Sequence, residues 1–145
     1  MNIDVIESTF KLIAPRADQL ANRFYDRLFM DFPAVKPLFA NTDDAGQRQK
    51  LVASLVFIVE NLRNPDKLSE YLEDLGQRHV GYGAEEAHYP AVGQTLLLTL
   101  AEFAGDAWTP EAANAWKEAV GAIAKHMLAG AARTAGQTSN SHADN

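Results

Sequence analysis

The sequence predicts an all-α domain of six to seven helices. Three observations lead there. Apolar residues recur every three to four positions along almost the whole chain, and no segment alternates apolar and polar residues as a half-buried strand does. Prolines and glycines stand where that period breaks. At 145 residues, the chain is long enough for one domain with a core that folds alone. No repeat or linker divides it.

The first helix has Asp4 as its cap and runs to about Ala14, where Pro15 interrupts it. The second covers about Arg16 to Phe32. It carries Leu20, Phe24 and Leu28 on one side, with Ala21, Tyr25 and Phe29 beside them, because residues four apart share a helical face. Pro33 ends it. A short helical turn, Ala34 to Phe39, leads into a polar loop from Ala40 to Gly46. The next helix, about Gln47 to Arg63, aligns Gln47, Leu51, Leu55, Ile58 and Leu62. Asn64-Pro65-Asp66 stops it, and Asp66 caps a further helix that carries Leu68, Leu72 and Leu75 to His79.

Val80 to His88 holds two glycines and reads as a loop. A strongly apolar helix follows, about Tyr89 to Ala104, with Val92, Leu96, Leu100 and Phe103 as its spine. Gly105-Asp106-Ala107-Trp108 breaks it. Thr109-Pro110-Glu111 opens the last helix, with a hydroxyl cap and a proline in the turn where a missing N–H costs nothing. That helix buries Ala113, Trp116, Val120, Ile123 and Met127. The folded domain is expected over 1–133. The stretch 134–145, rich in Ala, Gly, Ser and Asn, is expected to be a disordered tail.

Composition narrows the function. The formal net charge is −6 and there is no basic run, so nucleic acid is not an expected partner. The chain has no cysteine. That excludes disulfides, thiolate-ligated or covalently attached haem, and cysteine-based zinc or iron–sulfur sites. A metal centre is left with histidine, carboxylate or tyrosine. Met1-Asn2-Ile3-Asp4 has no positive segment ahead of an apolar one, so no secretion signal is expected. The longest mainly apolar stretch, Leu51 to Val59, falls far short of the roughly 20 residues that span a bilayer. A cytoplasmic protein without a membrane partner is the expectation, and the lack of cysteine fits a reducing compartment.

Among four histidines, His79 is the most informative. It extends the face formed by Leu68, Leu72 and Leu75, so its ring should point inward from the end of a helix. Taken alone, such a histidine is more often hydrogen-bonded within a core than bound to metal. Its neighbourhood suits an iron ligand, however. The carbonyl of Leu75, four residues back, can accept from one ring nitrogen while the other reaches the metal. Val80-Gly81-Tyr82-Gly83 then opens the helix packing where a flat ligand could enter. Gln47 and Leu51 share one helical face, Tyr25 lies in the inward arc of its helix, and Phe39 could stack against a large ring. Each also has an ordinary explanation: Gln47 as a solvated first-turn residue, Tyr25 as a core aromatic, Phe39 and Leu51 as packing.

Phe24-Tyr25-Asp26-Arg27-Leu28-Phe29, then Pro33 and Leu38-Phe39, resemble the second and third helices of bacterial single-domain globins and flavohaemoglobins. Gln47-Arg48-Gln49-Lys50-Leu51 is similar to the start of their distal helix. Leu75-Gly76-Gln77-Arg78-His79, followed by Tyr89-Pro90-Ala91-Val92-Gly93, resembles their proximal histidine region, and Trp116 fits their last helix. The likeness runs from about Ile3 to Ala129. It implies a globin fold around haem b (iron protoporphyrin IX), with His79 as the proximal iron ligand and Phe39 as the ring-stacking phenylalanine. It makes Tyr25 and Gln47 the distal hydrogen-bonders, Leu51 the apolar wall over the gas, and Tyr89 the tyrosine near the proximal histidine. Leu75 belongs to the same proximal wall. Lys50, Arg48 and Arg78 flank the pocket, either pairing with haem propionates or forming a solvated charged face.

The chain also resembles neuroglobin-like bacterial relatives around Tyr71-Leu72 and Leu75-Gly76. Those carry a histidine where this sequence has Gln47. An amide coordinates iron poorly, so no strong internal sixth ligand is expected. In flavohaemoglobins a glutamate of the last helix bonds the proximal histidine; an ungapped count from Trp116 puts Arg133 at that position. The flavin and nicotinamide modules of those proteins are also expected to be missing, with the chain ending at Asn145.

Three functions follow from the resemblance. The first is dioxygen binding at a five-coordinate ferrous iron, for storage or scavenging, with nitric oxide and carbon monoxide as further ligands. The second is nitric oxide dioxygenase activity, yielding nitrate with a separate reductase. The third is a gas-sensing or partner-binding globin domain.

Overall fold

A computed structural model describes the backbone of residues 1–39 and 44–144, and side chains over 1–39 and 45–133. Among the described residues there are six α-helices and three short 3-10 turns, and no strand. In chain order they are α1 (Ile3–Ile13), a turn at Ala14–Arg16, α2 (Ala17–Asp31), a turn at Pro33–Phe39, α3 (Asp44–Glu60), α4 (Pro65–Gly81), α5 (His88–Ala104), a turn at Gly105–Ala107 and α6 (Pro110–Asp144). No helix of the described residues is long and apolar enough to cross a membrane.

The helix ends differ from the sequence reading in ways that capping explains. Asn2, not Asp4, caps α1: its side-chain oxygen accepts from the Val5 N–H at 3.2 Å. Asp4 sits in the first turn and pairs with Arg63, which also meets Glu7 at 2.8 Å. Asn64 takes the cap position of α4, because Pro65 suits the first helical residue and pushes Asp66 into the first turn. Thr109 caps α6 as expected, its hydroxyl accepting from the Ala112 N–H at 3.1 Å. α3 starts at Asp44, earlier than Gln47. α4 continues two residues past His79, so the connection to α5 is shorter than Val80 to His88. α6 is helical to Asp144; the side chains of the expected tail, 134–145, lie outside the described residues.

Two apolar clusters form the core. The larger joins α1, α2, α3, α5 and α6 through Ile6, Phe10, Leu20, Phe24, Leu28, Leu55, Leu100 and Trp116. The smaller lies under α4, where Ile58, Leu72 and Met127 are surrounded by Leu68, Tyr71, Leu75, Tyr89 and Ile123. Leu62 touches both. A domain of this size ordinarily has one contiguous core. Here the two halves meet near the turn joining α3 to α4 and are otherwise distinct.

The smaller half is held in place by α6, against which α4 packs most extensively. A Cβ built on Gly76 of α4 would overlap the Met127 carbonyl, and one built on Gly130 of α6 would overlap the Glu73 carbonyl. The two helices therefore meet backbone to backbone. Ser69 with His126 (3.3 Å) and Glu73 with Arg133 (3.1 Å) flank that contact. α3 and α4 are linked by the stacked rings of Phe57 and Tyr71, with centroids 4.1 Å apart, and by the Tyr71 hydroxyl donating to Ser54 at 3.1 Å.

Because backbone cannot retreat as a side chain can, Gly76→Ala and Gly130→Ala should each destabilise the fold by about 3 kcal/mol or more. Gly121 has nothing within 4 Å of an added Cβ. There alanine should stabilise by about 0.5–1 kcal/mol, the ordinary helix-interior gain. Urea unfolding of the three variants checks the contrast; equal effects would show that α4 and α6 do not touch through backbone.

Candidate functional site

The sequence-predicted residues fall into two groups, one on the larger apolar cluster and one beside the smaller. On the larger cluster's side, α2 buries Tyr25, and the Pro33–Phe39 turn folds Phe39 back toward it. The Tyr25 ring meets Phe24 edge-on at 5.0 Å, Phe29 at 5.9 Å and Phe39 edge-on at 5.7 Å. Phe29 and Phe39 are 5.4 Å apart. Leu51 of α3 packs on the same cluster, partly buried. Gln47, one helical turn earlier, donates from its amide nitrogen to the Tyr25 phenol oxygen at 3.3 Å.

That hydrogen bond has a direction. The phenol oxygen accepts from Gln47, so its own proton remains available for a further acceptor, and accepting one bond strengthens the next donated bond. Burial pushes the Tyr25 phenol up from its ordinary value; the Gln47 hydrogen bond and the charge of Arg48 pull the other way. The phenol is therefore a neutral donor through the physiological range.

On the opposite side, His79 lies near the end of α4. Its Nδ1 is 2.8 Å from the Leu75 carbonyl oxygen. A carbonyl only accepts, so Nδ1 must carry the proton and Nε2 keeps its lone pair. No hydrogen bond engages Nε2 among the described residues. Burial pushes the imidazole down from its ordinary value, the Leu75 hydrogen bond opposes that, and the Arg78 charge lowers it further. The result is a neutral, oriented imidazole with one nitrogen free, the form that ligates a metal. The exposed Tyr82 ring stands edge-on to it at 5.7 Å.

The chain closes around this region after His79. The Tyr82 and Ala84 amides both bond to the His79 carbonyl at 3.0 Å. Gly83 takes φ +89°, and a Cβ there would come within 3.3 Å of Leu38. The segment that follows the histidine thus touches the turn that carries Phe39.

Of the residues expected at the site, Tyr25, Phe39, Gln47 and Leu51 form one wall, and Leu75 and Tyr89 belong to the other cluster. Lys50 and Arg78 are exposed. Arg133, the residue reached by the ungapped count from Trp116, pairs with Glu73. Among the described residues no group of three or more His, Cys, Asp or Glu side chains could hold a metal ion. A groove of about 620 Å³ between α5 and α6 is lined by Tyr89, Gly93, Leu97, Lys117, Val120 and Leu128. It contains neither His79 nor Tyr25 and shares only Tyr89 with the residues expected at the site.

Two features escaped the sequence reading. Gly76 has a visible signal, a glycine inside an otherwise strong helix three residues before His79. Arg48 has none. It was expected at the pocket's rim, yet its Nε is buried without a hydrogen-bond partner and its charge acts on Tyr25.

The chain is similar to known proteins. The family model described as Globin matches residues 22–127. The flavohemoprotein of Rhizobium meliloti is 33% identical over 129 residues, covering 88% of this chain and 32% of that protein. The chain thus spans about a third of the curated relatives it matches. A bacterial globin structure from Campylobacter jejuni superposes with a TM-score of 0.78 at 26% identity, covering 90% of this chain and 94% of that one. An engineered carbene transferase made from a proposed nitric oxide dioxygenase of Rhodothermus marinus gives 0.83 at 22% identity, covering 94% and 95%. At that identity the likeness is one of fold.

The Tyr25 phenol makes a pH prediction. Its folded value lies above its ordinary 10.0, so the stability linked to holding that proton is fully present below pH 10 and is lost as pH rises through the folded value. Wild type should lose unfolding free energy above pH 10 more steeply than Tyr25→Phe. Parallel curves in alkaline urea titrations would show that the phenol is not buried.

Proposed function

This chain belongs to the globin family, and on that premise we propose that it binds haem b in the seam between the two apolar clusters and takes up dioxygen on the Tyr25 side. The observation that carries the reading is the His79 ring, fixed through Nδ1 by the Leu75 carbonyl with Nε2 left for iron. The surroundings fit the group. A large flat apolar ring needs apolar neighbours, and Phe39 and Leu51, packed on the larger cluster, with Leu75 and Tyr89, packed on the smaller, are the residues that would supply them. Lys50 and Arg78, both exposed, stand where the ring's carboxylates would reach water. The globin unit is read as 1–133.

Haem held this way supplies a ferrous centre that accepts dioxygen, carbon monoxide or nitric oxide. The protein's own part is to keep His79 neutral, exclude water and aim donors. Tyr25 offers its phenol proton, and Gln47 holds that phenol in place through its amide. A hydrogen bond to a charged acceptor is worth about 1.5–3 kcal/mol, or roughly ten- to a hundredfold in affinity. Tight binding with slow release follows, which favours storage or scavenging over rapid delivery.

A second reading is nitric oxide dioxygenase activity: nitric oxide, dioxygen and one electron give nitrate, the electron coming from a separate reductase. The polar Tyr25–Gln47 pair supports it, as does the likeness to flavohemoproteins. The proximal side supports it less. His79 bonds a backbone carbonyl, which draws the ring proton less strongly than a carboxylate would, and Arg133 is occupied by Glu73.

Purified protein supplied with hemin should show ferric, ferrous and carbon-monoxide spectra of a haem protein, and His79→Ala should lose them. Tyr25→Phe should speed oxygen dissociation at least tenfold in stopped flow; an unchanged rate would mean the hydroxyl does not reach the ligand. Mixing the oxygenated protein with nitric oxide separates the two readings. One equivalent of nitrate shows reactivity, whereas only sustained turnover with a reductase establishes the enzyme.

A further inference from the structure

Arg48 is unlike the chain's other described arginines. Arg23 and Arg27 pair with Glu102, Arg63 with Asp4 and Glu7, and Arg133 with Glu73. Arg16 donates to the Phe103 carbonyl, and Arg78 is exposed. Arg48 makes no ion pair among the described residues, and its Nε is buried with no acceptor. A buried donor without a partner is costly, and the chain carries excess acid, 19 carboxylates against 13 basic side chains. An unneutralised guanidinium in such a protein calls for an explanation.

Its position supplies one. Arg48 follows Gln47, the residue that bonds the Tyr25 phenol, and its positive charge is felt at that phenol. The geometry points to Arg48 as a positioning residue that makes the distal pocket prefer ligands carrying negative charge. It acts through Tyr25, so that small anions, and gases that gain electron density on binding, are favoured over neutral ligands of similar size. The physical reason is that a cation held by a partly buried side chain is screened less than one fully in water. An acceptor entering beside Tyr25 also gives the half-buried Arg48 a negative neighbour. This inference rests on the haem-binding reading and adds a fixed positive charge to the preference that the Tyr25 proton already gives.

The test uses the ferric holoprotein with azide as the anionic probe and imidazole as the neutral one, each titrated by the shift of the main haem band. Arg48→Met removes the charge and keeps most of the volume; Arg48→Lys keeps the charge. Azide should bind about tenfold more weakly to Arg48→Met, with imidazole within twofold of wild type, and Arg48→Lys should recover most of the azide affinity. In the ferrous carbon-monoxide complex, the C–O stretch should rise in Arg48→Met and return toward wild type in Arg48→Lys, because positive potential near the ligand's outer atom lowers that frequency.

A third measurement separates this from a structural role. Removing an unpaired buried donor should leave the thermal midpoint of Arg48→Met unchanged or a few degrees higher, whereas loss of a structural contact would lower it. Equal weakening of azide and imidazole, or an unchanged carbonyl stretch, overturns the inference while leaving haem binding intact. A protein that forms no carbon-monoxide complex overturns both.

Discussion

The backbone contact between α4 and α6 is the constraint on which the rest depends. Where Gly76 faces Met127 and Gly130 faces Glu73, neither helix has room for a methyl group. α4 is therefore held from outside the main core, by α6, and needs less from α3 than a helix joined to it by a short turn usually would. That partition leaves two apolar clusters sharing Leu62 at one end. Interiors are close-packed and transmit strain, so the Gly76 and Gly130 contacts fix where the helix bearing His79 stands.

The same arrangement governs the electrostatics. Both polar groups that face chemistry are shifted mainly by burial, and in each case burial favours the neutral form: the His79 imidazole loses affinity for a proton and the Tyr25 phenol keeps its own. A neutral imidazole on one side and a neutral phenol on the other are what ligation and donation respectively require. Neither residue is rare or motif-like. Each also has one local hydrogen bond, His79 to the Leu75 carbonyl and Tyr25 from the Gln47 amide.

How far the sequence foretold this follows from what periodicity encodes. The 3.6-residue repeat places Leu68, Leu72, Leu75 and His79 on one face, and Gln47 with Leu51 on another, so the helices and their apolar faces were legible. Helix starts were less so. Asn2, Asp4, Asn64 and Asp66 are all competent caps, and which one serves depends on Pro65 and on the Arg63 ion pairs, which join residues distant in sequence. Arg48 was the least legible. A helical wheel assigns it a direction, but a long side chain reaches several ångströms from its own Cα, and nothing local shows whether its end meets water, a carboxylate or the interior. The α4–α6 contact lay between these extremes. Gly76 in mid-helix hinted at a close approach, but its partner, more than fifty residues away, leaves no mark near it.

The proximal side bears on which chemistry the fold supports. A histidine bonded to a carboxylate gains partial anionic character and donates electrons to a bound metal more strongly. His79 instead bonds the Leu75 carbonyl, an uncharged acceptor within its own helix. The one charged group of α6 at the expected position, Arg133, is positive and turns to Glu73. Replacing Arg133 by a carboxylate would not on its own supply the missing partner. It would break the Glu73 pair beside the Gly130 contact and place two acids together on α4 and α6. If His79 holds haem iron as proposed, its electron donation would be tied to the packing that positions α4, and a strongly donating ligand there would need both helices to change together. Reversible gas binding, which asks only for a neutral and well-aimed imidazole, needs no such change.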